Sequence, residues 1–407
     1  MPQAQQTGEK KQRFAVLAIM VLAGLFLFLG NRIATGGRPV FAVQGNAEVV
    51  SAQVKLILTR NPLAYYIEGR EIDNTLVYFD AVITSGERKG EQVVAQQLMD
   101  SMLAVPMKEV QEGDYILLCY TKRGVDIGRA WYFQEYDRRR PLAALGAVFI
   151  GLLLLFGGRK GVGTVLSLSF TGLAVFGVLI PAILSGRNVY GSVLVVSVAI
   201  IAVTLTLVNG LHVKSLSAAL GCIGGLGIAT VLLLVMDRAL FLTGLIDEDS
   251  AFLLMLDPPV HLKAVLFGAI VIGVLGAALD VGVSISSALS ELLEGSPHLG
   301  WGDIMRSGMN IGRDILCTMT NTLILVYIGG ALSSTLLLTV YSNSMLEMLN
   351  REMIVVEILQ ALVSSTGLLF VIPITTGSFA LFARPKERRL TAAPGRDTIE
   401  PPTFDKE

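Results

Sequence analysis

Eight segments of this chain stay apolar for close to the ~20 residues that a helix needs to cross the hydrocarbon of a bilayer. They are Phe14 to Gly30, Leu142 to Gly157, Val162 to Ile183, Tyr190 to Val208, Leu216 to Met236, Val265 to Leu289, Ile315 to Val340 and Ile354 to Phe382. Lipid offers the backbone no water to bond, so each segment must close its own hydrogen bonds as a helix. The prediction is a membrane-embedded, all-α bundle of about eight spans. Composition agrees: of 407 residues, 53% are hydrophobic and only 16% charged, against about 25% charged in an average soluble domain.

Charge placement predicts how the bundle sits. Lysine and arginine favour the cytoplasmic side of short loops. Alternate connections divide that way, with Lys10, Lys11, Arg13, Arg159, Lys160, Lys214, Arg306, Arg313, Arg384 and Lys386 on one side. Both termini are expected to be cytoplasmic. The first span follows a basic stretch like a signal peptide, but "GNRIATGG" lacks a small-x-small cleavage pattern, so it reads as an uncleaved anchor. Arg138, Arg139 and Arg140 run against the rule, on the outer side, where lipid phosphates are the expected partners. A formal net charge of −1 gives no whole-chain signal for nucleic acid.

The chain divides into four parts: residues 1–30 with the first anchor, a polar region over 31–140, a seven-helix bundle over 141–383, and a Pro-rich polar tail over 384–407, expected to be disordered. Within 31–140, "AEVVSAQVKLIL" (47–58), "NTLVYFDAVIT" (74–84), "YILLCY" (115–120) and "RAWYFQEYD" (129–137) are rich in the branched and aromatic residues of strands. The turn signals "SGERKG" (85–90) and "EGD" (112–114) separate them. A small mainly-β extracytoplasmic domain, barrel or sandwich, is predicted after the first helix.

The second half carries "GAALDVGVSISSALSEL" (276–292), "SGMNIGRDILCTMTNTLILVYIGGAL" (307–332) and "IPITTGSFA" (372–380). With "DRRRPLAALGAVFIGLLLLFGGRKG" (137–161), these segments make the chain closely resemble the YibE/F family of bacterial multispanning membrane proteins. The resemblance implies an anchor, an extracytoplasmic domain and a helical bundle; it brings no biochemical activity with it.

Asp280 stands out in the sixth span, because a carboxylate in hydrocarbon is costly and such residues face a partner or a wet cavity. On a helix, residues three and four apart share a face, so Asp280, Ser284, Ser287 and Glu291 form one polar stripe. The seventh span repeats the device with Asn310, Asp314, Cys317 and Asn321. At 1.5 Å per residue, Asp280 lies roughly 16 Å from the level of Glu291, near mid-membrane. Arg313 and Asp314 are expected at the cytoplasmic edge, level with Glu291, and Asn321 close to Asp280. In the eighth span Pro373 frees the carbonyl of Leu369, at a depth similar to that of Asp280, with Thr375 and Thr376 close by. Two readings of the aspartate remain open: an ion or substrate site, or a protonated side chain bonded to Asn321. Serines and glycines such as Gly221, Gly225, Gly273 and Gly276 serve equally well as close-packing residues.

Other signals carry less. "GGRKGVGT" lacks the order of a phosphate loop. His212, His261 and His298 are isolated, Cys119, Cys222 and Cys317 are far apart, and no cofactor or metal set emerges. The leading expectation is a permease-like transporter of a small solute or cation, coupled to a proton or a sodium ion, with Asp280 as its ionisable centre, Ser284, Ser287, Asn321 and Pro373 around it, and a cytoplasmic-edge cluster of Glu291, Asn310, Arg313 and Asp314. The alternative is a non-transporting platform whose region 31–140 binds another envelope protein. No nucleophile and base pair supports an enzyme.

Overall fold

The computed structural model describes residues 2–36, 47–67, 70–99, 108–121, 131–246, 248–256 and 259–383. The tail from 384 and the start of the strand predicted at 129 fall outside them. The chain divides into two compact units, residues 38–158 and residues 1–37 with 159–407.

The described residues of the first unit form five strands: β1 (Ala47–Ile67), β2 (Arg70–Ile83), β3 (Gln92–Met99), β4 (Tyr115–Thr121) and β5 (Trp131–Tyr136). They close a barrel in the order β1-β2-β3-β5-β4, antiparallel except for β3 beside β5. Alternation builds its core. Val77, Phe79, Ala81 and Ile83 of β2 point inward with Val50, Ala52 and Val54 of β1 and Ile116 and Leu118 of β4. "SGERKG" forms the predicted hairpin, closed by Gly90 N–H donating to Ile83 O at 2.8 Å. Strand β3 was not foreseen, because "EQVVAQQLM" reads as polar. Gln97 explains its place inside: the buried amide donates to Lys108 O at 3.0 Å and accepts from Val110 N–H at 2.9 Å, satisfying both ends of the side chain.

The three arginines after the barrel find protein partners. Arg138 pairs with Glu135 at 3.1 Å, and the Arg140 guanidinium lies 3.7 Å from the centre of the Tyr115 ring. Arg139 binds Asp137 through Nε at 2.8 Å and Nη2 at 2.7 Å and also reaches Ser51 Oγ. That guanidinium, helped by the Arg139 backbone N–H, holds the Asp137 carboxyl at about 2, well below an ordinary aspartate.

Long helices make the second unit: α1 (Pro2–Thr35), α2 (Arg139–Ala174, which begins in the first unit and breaks at Gly158), α3 (Ile180–Leu184), α4 (Val189–Asn209), α5 (Val213–Ala239), α6 (Glu248–Leu254), α7 (Leu262–Gly295), α8 (Trp301–Gly330), α9 (Leu332–Tyr341), α10 (Met345–Asn350) and α11 (Glu352–Phe382). Among the described residues, eight segments are long and apolar enough to cross a membrane, which is the predicted number. The break in α2 comes at φ 51° and ψ −128°, a conformation that glycine tolerates, and it separates the second and third spans. The seventh span differs from the prediction. In place of one helix over Ile315 to Val340, the chain starts earlier as α8 and stops at Gly330, leaving the apolar α9 as a short separate helix.

Two prolines interrupt spans in different ways. Pro181 has no N–H for the carbonyl of Gly177, four residues earlier, and the turn around it opens into a π-helix over Val175–Leu179. Asn31 of α1 supplies the missing donor, with Nδ2 2.5 Å from Gly177 O. Pro373 lies inside α11 without ending it.

Glycines set the closest approach in the bundle. Gly221, Gly224 and Gly225 of α5 lie against Thr375, Ile374 and Val371 of α11, and a Cβ at Gly221 would overlap the Thr375 hydroxyl. On another side of α11, Gly308 and Gly312 of α8 lie against Thr376 and Ile372.

Two outcomes are expected. The depressed Asp137 carboxyl stabilises the barrel above its unfolded value near 3.8, and this contribution is lost as pH falls from about 4 to about 2. Melts followed by Trp131 fluorescence in a Trp301→Phe background will show this acid-side loss, and Asp137→Asn will flatten it. Gly221→Ala will destabilise the bundle by about 1–3 kcal/mol through overpacking. In detergent melts, Thr375→Ala on top of it will recover part of that loss.

Candidate functional site

The polar stripes of the sixth and seventh spans lie on α7 and α8. On α7, Asp280, Ser284 and Glu291 are exposed and Ser287 is half-buried, while Val281, Ile285 and Leu289 on the other face are fully buried. The backing of Asp280 is tight. Cys222 Sγ of α5 donates to Ala278 O at 3.2 Å, and Gly282 leaves room beside the same sulfur. The Asp280 carboxyl therefore projects from a firmly held helix, away from the core. Among the described residues it has no hydrogen bond or ion pair, to Asn321 or to any other group.

Helix α8 uses one face for packing. Ile304, Gly308 and Gly312 are buried, whereas Asp303, Arg306, Asn310, Arg313, Asp314, Cys317 and Asn321 are all exposed. Tyr327 adds a polar link that the sequence reading missed. Its hydroxyl lies 3.1 Å from the fully buried Ser364 Oγ of α11. Its only sequence signal was a lone tyrosine in the apolar run "LILVYIGG". The Arg313 guanidinium forms no ion pair with Glu291 or Asp314 among the described residues.

Packing contacts fix the heights of these groups. Gly308 against Thr376 and Gly312 against Ile372 set α8 antiparallel to α11. Gly367 against Val274 sets α7 parallel to α11, and Ser290, Glu294, Phe379 and Ala383 border one shared groove. On this scale Asp280 falls within about one to two turns of Pro373, and also of Arg313, Asp314 and Cys317. Asn321 lies further toward the Gly330 end of α8, and Glu291 lies toward its Trp301 end.

The expected heights are thereby corrected. Arg313 and Asp314 are level with Asp280, and Asn321 is the more distant group. The cause is the early start of α8: its two buried glycines match the surface of α11, so the charged first half of the helix is drawn alongside the bundle. Leaving such a charge exposed at the middle of a span costs about 3 kcal/mol on insertion scales. These groups need water or a protein partner.

Behind the stripes, Thr375 and Thr376 are completely buried next to the Pro373 turn, and neither hydroxyl has a hydrogen-bond partner among the described residues. They occupy the seam between Gly221 of α5 and Gly308 of α8. Exposed carboxyls, an arginine and two uncommitted hydroxyls thus occupy one level of the bundle.

No curated protein and no solved structure matches the chain significantly. Residues 145–385 match the family model described as YibE/F-like protein, which runs from within the second span to the end of the eighth, and so over more than half of the chain. The chain is a membrane protein that belongs to the YibE/F-like family.

Proposed function

We propose that this YibE/F-like protein is a permease-like transporter that moves a small solute or cation, with the Asp280 carboxyl as the group that takes up and releases a proton or a sodium ion. The observation that carries this reading is the exposed Asp280 on α7, without a partner among the described residues and near the level of Pro373 in α11. An intramembrane ionisable residue that faces neither a salt bridge nor a dry core is the usual mark of an ion path. Ser284 and Ser287, one and two turns along the same face, extend the polar track toward Glu291. The free carbonyl ahead of Pro373 and the hydroxyls of Thr375 and Thr376 provide oxygen ligands of the kind found at interrupted helices. Asn321, Asn310, Arg313 and Asp314 line the neighbouring α8. Loop charges favour an orientation with both termini cytoplasmic, in a bacterial inner membrane. The reading includes no enzymatic step and no cofactor.

A second reading rests on the barrel. Its strand order, β1-β2-β3-β5-β4, with a parallel β3 and β5 pair, is that of the OB-fold, a common binding scaffold. Under this reading the barrel captures another envelope component and the bundle is its platform.

The test is ion flux in proteoliposomes under an imposed potential, read with entrapped pH- and sodium-sensitive dyes. Asp280→Asn should lower flux at least tenfold, while Asp280→Glu retains part of it. Equal flux from wild type and Asp280→Asn would remove the carboxyl from the mechanism. Wild-type protein that is folded and inactive toward all tested ions and solutes, yet retains a partner on purification that depends on the barrel, would favour the platform.

A further inference from the structure

We propose that a second copy of this chain packs against the polar face of α8, with Arg313 of each copy facing Asp314 of the other. The inference is independent of transport. It rests on how the exposed groups of α8 are arranged around the helix.

With about 100° of rotation per residue, Asn310 marks the centre of the exposed stripe, opposite the buried Ile304, Gly308 and Gly312. Cys317 and Asn321 fall within about 20° of that line, on either side of it. Arg306 and Arg313 lie about 40° and 60° to one side. Asp303 and Asp314 lie about 20° and 40° to the other. Both arginines are thus on one flank, both aspartates on the other, and neutral polar groups run along the centre. All seven residues are exposed.

A two-fold axis normal to the membrane is the symmetry that two identically inserted copies share. It keeps each residue at its own height and exchanges the flanks. The arginine flank of one α8 then meets the aspartate flank of the other, at matched depth, twice over. Asn310 and Asn321 meet their own counterparts across the axis, where each amide offers both a donor and an acceptor. Face and partner are the same surface, as an isologous contact requires. The arrangement also supplies what lipid cannot, opposite charges for groups that the packing on α11 holds within the depth of the spans.

Neither Arg306 nor Arg313 forms an ion pair within its own chain among the described residues. Each copy would therefore complete the polar cluster of the other.

Cys317 makes the test direct. In membranes holding the full chain, a short bis-maleimide should link two copies through Cys317, and Cys317→Ser should abolish the product. In nanodiscs, mass photometry should report a dimer. Arg313→Asp and Asp314→Arg should each weaken it at least tenfold, by placing like charges across the axis, and the exchange R313D/D314R should restore it by rebuilding both pairs. A monomeric wild type overturns the proposal. So does a dimer that ignores both charge reversals and leaves Cys317 unlinked, because its contact would then lie elsewhere. Ion flux enters none of these readouts, so their failure is separate from failure of the transport reading.

Discussion

The bundle depends on close backbone contact along α11. Lipid gives two helices no hydrophobic reason to associate, so they hold together where small residues let surfaces meet over a long seam. Gly221, Gly224 and Gly225 provide that seam from α5, and Gly308 and Gly312 provide it from α8. Such contacts permit little sliding, because a shift of one residue sets a side chain where a glycine is needed. Register follows from this, and register in turn decides which polar groups share a depth.

Backbone polarity is the second constraint, and it is met locally. Pro181 removes a donor inside a span, and Asn31 restores it from a neighbouring helix. Pro373 removes another, and among the described residues no side chain replaces it and the two buried hydroxyls beside it have no partner. Unpaired polar atoms are costly to bury, and this turn of α11 carries that cost.

Much of this was legible in the residues. Apolar runs identified the eight described spans, and branched and aromatic runs identified four of the five described strands, since both signals are local. Strand β3 escaped because its burial depends on Gln97 finding the backbone of Lys108 and Val110, a pairing that sequence spacing does not contain. The stripes on α7 and α8 were also readable, because a helix fixes which residues share a face. Their relative heights were not. Counting inward from the charged end of an apolar run assumed that the run and the helix begin together, and α8 begins fourteen residues before Ile315.

The sequence by itself determined a membrane protein of the YibE/F-like family, its eight spans, the β domain after the first of them, and the polar faces of two helices. These follow from composition, from periodicity and from the demand that backbone in lipid be bonded. Only the tertiary structure decided that the barrel closes in the order β1-β2-β3-β5-β4, that Arg313 and Asp314 are level with Asp280, and that the polar stripe of α8 faces away from its own bundle. The reason is that glycine packing against α11 sets the register of α8, and no local signal in the chain reports which surface a glycine will meet.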